Sequence, residues 1–489
     1  MGAIALAAAA RPSSAAAPLS SDQPAGADGA DAKPAGRLGE LLDLVGWPAE
    51  RVAAFAAKEG LSEPEEVELV ELALRLRSLK ALVVSAADTG DPAAAIVRGR
   101  AQRVLRVTLS NEAAARLGVK HYYACDLQPE GAGAAAVRVL TLRVPNDWLA
   151  GGTSLQTACE GTPEATPDQP AEATGAAFVA AGGLRIVVAP EVRWFPEAGA
   201  GVKLGQAVLG GAGFDVGMLD LAVDGGPLLA RESALFYELL VATRQTGARQ
   251  LARFARGNLA EYARGWADRE DALSRAVRQQ AAAGRYSVAP LFNDAKRQRG
   301  ELFVFDGVVR RVLRVEVGPS EDGLPSQVAQ RYGIDHYYEL ELFPADSQNL
   351  PLVFCVLELP EGCPIGPRLA RDARVAGFFL KRWAYGTRKP GAEGSRSHDK
   401  RQVAPLLIGR APILLAPPAG VGVGFEIATG LAFAAAVLAI VGAVWWFGQA
   451  DQAFEDQLRK RFAPAEPPNF DALSAEVVSL DTDADCDTD

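Results

Sequence analysis

Acid–base chemistry in this chain would have to start from very few residues. Only three histidines are present, and two of them recur in matched surroundings: Lys-His-Tyr-Tyr at 120–123 and Asp-His-Tyr-Tyr at 335–338. Imidazole is the side chain that moves protons most readily near neutral pH. A catalytic dyad would also need a Ser, Cys or Asp at one fixed offset from His121 and His336, and none repeats. Both histidines open a strand on its apolar-face parity, so they read as structural groups capping a barrel mouth. Arg103 and Arg311 recur as well, on the parity that reads as inward. A buried guanidinium must be paired, so a structural salt bridge is expected at each in preference to an anion site.

Metal and cofactor chemistry find less support. The five cysteines, Cys125, Cys159, Cys355, Cys363 and Cys486, are not spaced as zinc pairs and do not match between the copies. Cys355 and Cys363 would bridge only if their strand folded back. The glycine-rich stretches at 210–213 and 420–424 are neither a phosphate loop nor a dinucleotide fingerprint. The alternating aspartates Asp481 to Asp489 lack the glycine bend and distal glutamate of a calcium loop. No cofactor and no metal is expected.

The remaining candidate is a surface that binds without turnover. Lys381, Trp383 and Tyr385 run into a basic loop, Gly386–Lys400, that carries Arg388 and Lys389. Together with Arg311 and His336 they form the candidate binding surface, with the basic and aromatic character that grips an anionic polymer. The plainer alternative is a solvated loop.

These residues sit on a duplicated framework. Arg103-Val-Leu-Arg-Val107 followed by Arg116-Leu-Gly-Val-Lys-His-Tyr-Tyr123 returns as Arg311-Val-Leu-Arg-Val315 followed by Arg331-Tyr-Gly-Ile-Asp-His-Tyr-Tyr338, about 210 residues later. Two copies imply tandem domains. In the second, Val309, Leu313, Val315 and Val317 alternate with Arg310, Arg314 and Glu316. His336, Tyr338, Leu340 and Leu342 alternate with Tyr337, Glu339 and Glu341. Further strands are expected at Leu352–Leu359, Val375–Tyr385 and Ala404–Leu415, matched in the first copy by Val137–Val144, Ala176–Ala181 and Leu184–Phe195, with a loop insert at 150–175. Five or six strands per copy suggest a small barrel of OB type, with an SH3-like barrel as runner-up.

Helical periodicity precedes each barrel. Val67, Val70 and Leu74 form one stripe after Pro64, and Leu235, Phe236, Leu239 and Leu240 form another after Arg231. Amphipathic sequence then continues over Ala248–Gln280. The expected fold class is α+β, with two tandem helical-plus-small-β-barrel modules followed by one transmembrane helix. Its divisions are 1–37 (a leader or weak signal peptide), 38–90 and 203–284 (helical), 94–197 and 286–416 (barrels), 425–447 (membrane span) and 448–489 (an acidic tail).

The span rests on Ile427–Phe447, which holds no charged residue and ends in Trp445 and Trp446. Net charge is −10, most of it after the span, where eleven acids face Arg459, Lys460 and Arg461. The rest is close to neutral, which argues against a nucleic-acid partner. The three basic residues place the tail in the cytoplasm, so the modules are expected outside it, with Gly2–Ala17 as their export signal.

With Gly333–Tyr338, Val375-Ala-Gly-Phe-Phe-Leu-Lys381 and Ala404-Pro-Leu-Leu-Ile-Gly-Arg410, the chain resembles a group of uncharacterised bacterial single-pass membrane proteins. That resemblance covers most of 38–447 and implies no activity and no site residues. The sequence therefore reads as a non-catalytic, membrane-anchored binding or scaffolding protein with a protein partner in the cell envelope. The alternatives are an enzyme with its active site between the modules and a barrel that binds anionic glycan or nucleic acid.

Overall fold

A computed structural model of the chain describes residues 37–44, 46–48, 50–51, 55, 62–88, 91, 93–131, 134–150, 164–179, 185–199, 201–318, 326–386, 401–416 and 430–446. The leader before Arg37, the acidic tail, and the loop that carries Arg388 and Lys389 lie outside them. The chain forms two units, Met1–Leu415 and Ala416–Asp489.

The first unit begins with helices α1 (Arg37–Leu44), α2 (Glu63–Ser78) and α3 (Lys80–Asp88). Strand β1 (Ala94–Thr108), the short helix α4 (Asn111–Leu117), β2 (His121–Pro129) and β3 (Val137–Thr141) follow. Next come α5 (Asn146–Ala150), β4 (Glu164–Ala165), β5 (Gln169–Val179), β6 (Arg185–Ala189) and β7 (Val192–Trp194). The latter part of the expected loop insert is thus strand. Helices α6 (Leu204–Gly211), α7 (Ser233–Ala242), α8 (Ala248–Arg264) and α9 (Ala272–Ala282) lead into the second copy. That copy holds β8 (Leu302–Glu316), α10 (Gln327–Tyr332), β9 (His336–Pro344), β10 (Leu352–Val356), β11 (Arg371–Gly386), β12 (Arg401–Gly409) and β13 (Ile413–Leu414).

Each copy closes five strands into a barrel. The order is β1-β2-β3-β6-β5-β1 in the first and β8-β9-β10-β12-β11-β8 in the second. The third and fifth strands of each barrel pair parallel, and all other pairs in the ring are antiparallel. This is the connectivity of an OB-type barrel. The first strand bends where it changes partner, and glycine stands at that bend in both copies. A Cβ on Gly99 would sit 2.1 Å from the Gln128 carbonyl oxygen, and one on Gly307 2.6 Å from that of Phe343. Only glycine lets the backbones approach so closely.

The helices cover the outer faces of the barrels. Helix α2 starts with Pro64 in its first turn and with the Glu65 carboxylate accepting the Ser62 N–H at 2.7 Å. Its buried stripe, Leu69, Leu72, Ala73 and Leu76, joins Tyr122, Leu140, Phe178 and Ile186 of the barrel in one apolar cluster. Helix α7 repeats the device: Glu232 accepts the Leu229 N–H at 2.8 Å, and Phe236 meets Tyr337 with ring centroids 5.3 Å apart. The amphipathic stretch expected over Ala248–Gln280 is two helices. It ends at Gly265 and restarts at Asp271, whose carboxylate caps α9 by accepting the Ser274 N–H at 2.7 Å.

The second unit corrects the membrane reading. The helix described there covers 430–446, or roughly 25 Å at 1.5 Å per residue against a hydrocarbon core of about 30 Å. Among the described residues no helix is long and apolar enough to cross a membrane. The single-pass anchor, the membrane as partner, and the extracytoplasmic placement of the modules drawn from that anchor therefore find no supporting helix among the described residues.

Candidate binding site at the barrel hairpins

The repeated sequence words encode one local structure, used twice. In each copy the first two strands form a hairpin whose connection carries a short helix. Ser110 and Ser326 cap these helices by accepting the N–H three residues on, at 3.4 and 3.1 Å. Gly118 (φ 70°) and Gly333 (φ 62°) end them in the left-handed conformation that glycine adopts without strain. The histidine follows three residues later, as the first residue of the returning strand.

A β-bulge resets the first strand of each hairpin. Pairing steps from Ala101–Leu127 to Arg103–Asp126 in one copy and from Val309–Leu342 to Arg311–Glu341 in the other. Gln102 and Arg310 are therefore left over. Beyond the bulge the inward residues are Val104 opposite Cys125 and Val312 opposite Leu340, all fully buried. Strict alternation had placed Leu313 and Val315 inward; the extra residue moves them to the outer face. The same reset turns Arg311 outward, where it pairs with Glu341 at 2.7 Å.

Past the closed part of each barrel the inward parity continues onto the hairpin end. There Arg106 stands opposite Tyr123 and Thr108 opposite His121. In the second copy Arg314 stands opposite Tyr338 and Glu316 opposite His336. Directly opposed residues share a face, so each hairpin end carries an Arg–His–Tyr trio. The rings meet edge to face in both, with centroids 5.4 Å apart and interplanar angles of 80° and 87°. In the first copy Tyr123 Oη lies 3.2 Å from His121 Nε2. Burial, and then the Arg106 charge, pull the His121 pKa below its ordinary value, and burial pushes the Tyr123 phenol up. At neutral pH this trio therefore holds one positive charge, on Arg106.

The two trios differ in what surrounds them. In the second copy Arg314 Nε contacts Glu316 at 2.9 Å, and His336 Nδ1 lies 2.9 Å from Asp335 Oδ1. The corresponding residues in the first copy are Thr108 and Lys120. Two acids are thus replaced by a neutral and a basic residue, in the same strand pairing. The first hairpin end is a cationic patch and the second is internally neutralised.

The surface expected from sequence is not assembled as one. Lys381 is fully buried. Its ammonium lies 2.8 and 3.0 Å from the two Glu232 carboxylate oxygens and 3.0 Å from the Pro227 carbonyl oxygen. Trp383 is half-buried and bridges to Gly226. Tyr385 lies on β11, while Arg388 and Lys389 fall outside the described residues. Arg311 is on the outer face and His336 at the hairpin end. Sequence reasoning missed Arg106, Thr108 and Lys120 as site residues; comparing the two copies position by position for charge would have singled out Thr108 and Lys120, which stand where the second copy has Glu316 and Asp335.

Cys125, Cys355 and Cys363 are free thiols, so Cys355 and Cys363 do not bridge. Burial raises all three, and Cys355 well above the ordinary thiol value. Among the described residues no group of three or more His, Cys, Asp and Glu side chains could hold a metal ion. Compared with protein families, with curated proteins and with solved structures, the chain matches none.

Proposed function

We propose that this chain is a non-catalytic binding protein that docks an acidic segment of a partner protein on the hairpin end of its first barrel. The observation that carries this reading is the charge difference between two trios that share strand pairing and ring geometry. Arg106 and Lys120 bring two cations to the first hairpin, with no acid at the positions that Glu316 and Asp335 occupy in the second. His121, neutral at pH 7, and Tyr123 add hydrogen-bonding groups and a flat ring face beside the guanidinium. A partner carboxylate on Arg106, with a second reached by Lys120, satisfies this surface; charge-assisted contacts of this kind are strong and salt-sensitive. The helices α2 and α7 cover the outer faces of their own barrels, which fits a scaffold that presents its hairpin ends.

The test converts one copy into the other. A labelled oligoglutamate peptide titrated into the full chain is expected to bind in a salt-dependent manner. The double substitution Thr108→Glu/Lys120→Asp, which reproduces the second copy's charges, should weaken binding by about tenfold or more, equivalent to about 1.4 kcal/mol. Unchanged peptide affinity in that variant rejects the reading. So does tighter binding of a labelled oligonucleotide than of the peptide.

A further inference from the structure

We propose that a cleft between the α8–α9 helix pair and the second barrel binds a small oxyanion carried on an aromatic body, of the aryl phosphate or aryl carboxylate class. The cleft has a volume of about 370 Å³, within the range of small-molecule sites. It exists because the helices inserted between the two copies place α8 on strands β8 and β11, with α9 packed against α8.

Local structure fixes its cationic rim. Helix α9 ends with Gly284 in the left-handed conformation (φ 72°). The Arg285 N–H then reaches back to the Gln280 carbonyl oxygen at 3.0 Å, and that of Gly284 to Ala281 at 2.9 Å. This six-to-one closure sets the Arg285 backbone at the mouth of the cleft. Its Nε donates to the Gln280 side-chain oxygen at 3.2 Å, which leaves the other guanidinium nitrogens for a ligand. Arg256 projects from α8 on the opposite rim, one residue after the buried Ala255 that packs α8 on the barrel.

The charges in the cleft are not balanced. Arg374 is occupied by Asp306, which it grips through two contacts of 2.6 and 2.5 Å across β8 and β11. Asp346 accepts the Val288 N–H at 3.0 Å and so serves as a backbone cap. Arg256 lies near enough to Asp306 for its charge to oppose the burial that raises the Asp306 pKa, but that carboxylate is already gripped by Arg374, and neither Arg256 nor Arg285 forms a salt bridge of its own among the described residues. Two guanidinium groups facing one cavity call for an anion with several oxygens, because each planar fork can take two of them. The wall below the rim is aromatic. Tyr286 and Phe305 line the cleft, both buried, with ring centroids 6.5 Å apart. The Tyr286 hydroxyl donates to the Ala255 carbonyl oxygen at 2.6 Å, which locks its ring in the cleft wall. A ring offered edge-on or face-on to these two completes the match.

The experiment uses the full chain and three probes: phenyl phosphate, benzoate and inorganic phosphate. Phenyl phosphate is expected to bind one to one by calorimetry, with a Kd on the order of 0.1–1 mM, and to raise Tm as its concentration rises. Inorganic phosphate should bind about tenfold more weakly, because it leaves the aromatic wall unused. Benzoate tests whether the oxyanion must be a phosphate, and binding comparable to phenyl phosphate supports the broader class. Arg256→Ala/Arg285→Ala should reduce phenyl phosphate affinity about tenfold or more, whereas Arg275→Ala, on the exposed side of α9, should leave it unchanged. Both rim arginines are exposed, so the double variant is expected to fold. The proposal is overturned if neither aromatic probe binds, if inorganic phosphate binds as tightly as phenyl phosphate, or if the double variant binds like the parent. Oligoglutamate binding in the double variant should be unchanged, which separates this cleft from the hairpin patch.

Discussion

Lys381 on strand β11 and Glu232 at the start of helix α7 form an ion pair from which water is fully excluded, with Nζ 2.8 Å from Oε1 and both side chains at 0% exposure. Every oxygen of the pair is used. Oε1 also accepts the Val223 N–H at 2.7 Å and Oε2 the Leu229 N–H at 2.8 Å. Burial works against the charged carboxylate, but Lys381 and these two amides outweigh it and hold the Glu232 pKa below its ordinary value. The pair locks the helical insert to the second barrel. Removing one member leaves an uncompensated buried charge, which costs about 3–5 kcal/mol. Lys381→Met should therefore lower the urea midpoint by that equivalent. Glu232→Gln, which retains an amide oxygen for one backbone N–H, should cost less. A Lys381→Met variant within about 1 kcal/mol of the parent would mean that the site relaxes to admit water.

Asp215 should make stability fall as pH rises. It is almost completely buried, and its Oδ1 accepts the Trp194 N–H at 2.8 Å and the Gly217 N–H at 3.0 Å. Burial pushes its pKa up to about 6 from an ordinary 3.8, against the pull of the Trp194 amide and of Arg193 and Arg143; Glu191 adds to the rise. The folded chain then holds a proton that the unfolded chain has released. This group's stabilising contribution is complete below about pH 4 and is lost as pH climbs to about 6, by up to roughly 3 kcal/mol. Asp215→Asn should flatten that part of the pH–stability profile relative to the parent. Identical slopes for the two proteins between pH 4 and 7 would refute it.

Glycine at the closing bend should be irreplaceable in both barrels. Gly99→Ala and Gly307→Ala each press a methyl group against a carbonyl oxygen, at 2.1 and 2.6 Å before relaxation. Each is expected to cost about 1–3 kcal/mol, with Gly99 the more sensitive. Gly257 lies inside helix α8, where an added Cβ meets nothing within 4 Å. Gly257→Ala should instead stabilise by about 0.4–1 kcal/mol. Equal shifts of the three urea midpoints would contradict the closure argument.

The Arg106 charge should be visible in the titration of His121. Burial is the larger cause of the lowered His121 pKa and Arg106 the smaller. In Arg106→Ala the His121 imidazole, followed by NMR and assigned with His121→Gln, should titrate at higher pH than in the parent while staying below the ordinary 6.5. An unshifted resonance would place Arg106 away from the ring and weaken the proposed docking patch.

Much of the framework was legible in the chain. Periodicity and internal repetition are local properties, so they revealed the duplicated hairpins, the capped helices α2 and α7, and the strands β8 to β11 in their correct order. They could not reveal parity beyond a bulge. One unpaired residue, Gln102 or Arg310, shifts every later side chain of its strand to the other face, and no composition signal marks it. The same limit moved Lys381 from an expected surface to the interior. Its partner Glu232 lies 149 positions earlier, and only the packed structure brings the two together. Apolar run length also misled at the C-terminal end: Ile427–Phe447 holds no charged residue, yet among the described residues no helix is long and apolar enough to cross a membrane. The cleft rimmed by Arg256 and Arg285 had no sequence signature at all. Its walls come from two helices, a turn and three strands, and a cavity is set by how such elements fail to fill space, which tertiary packing alone decides.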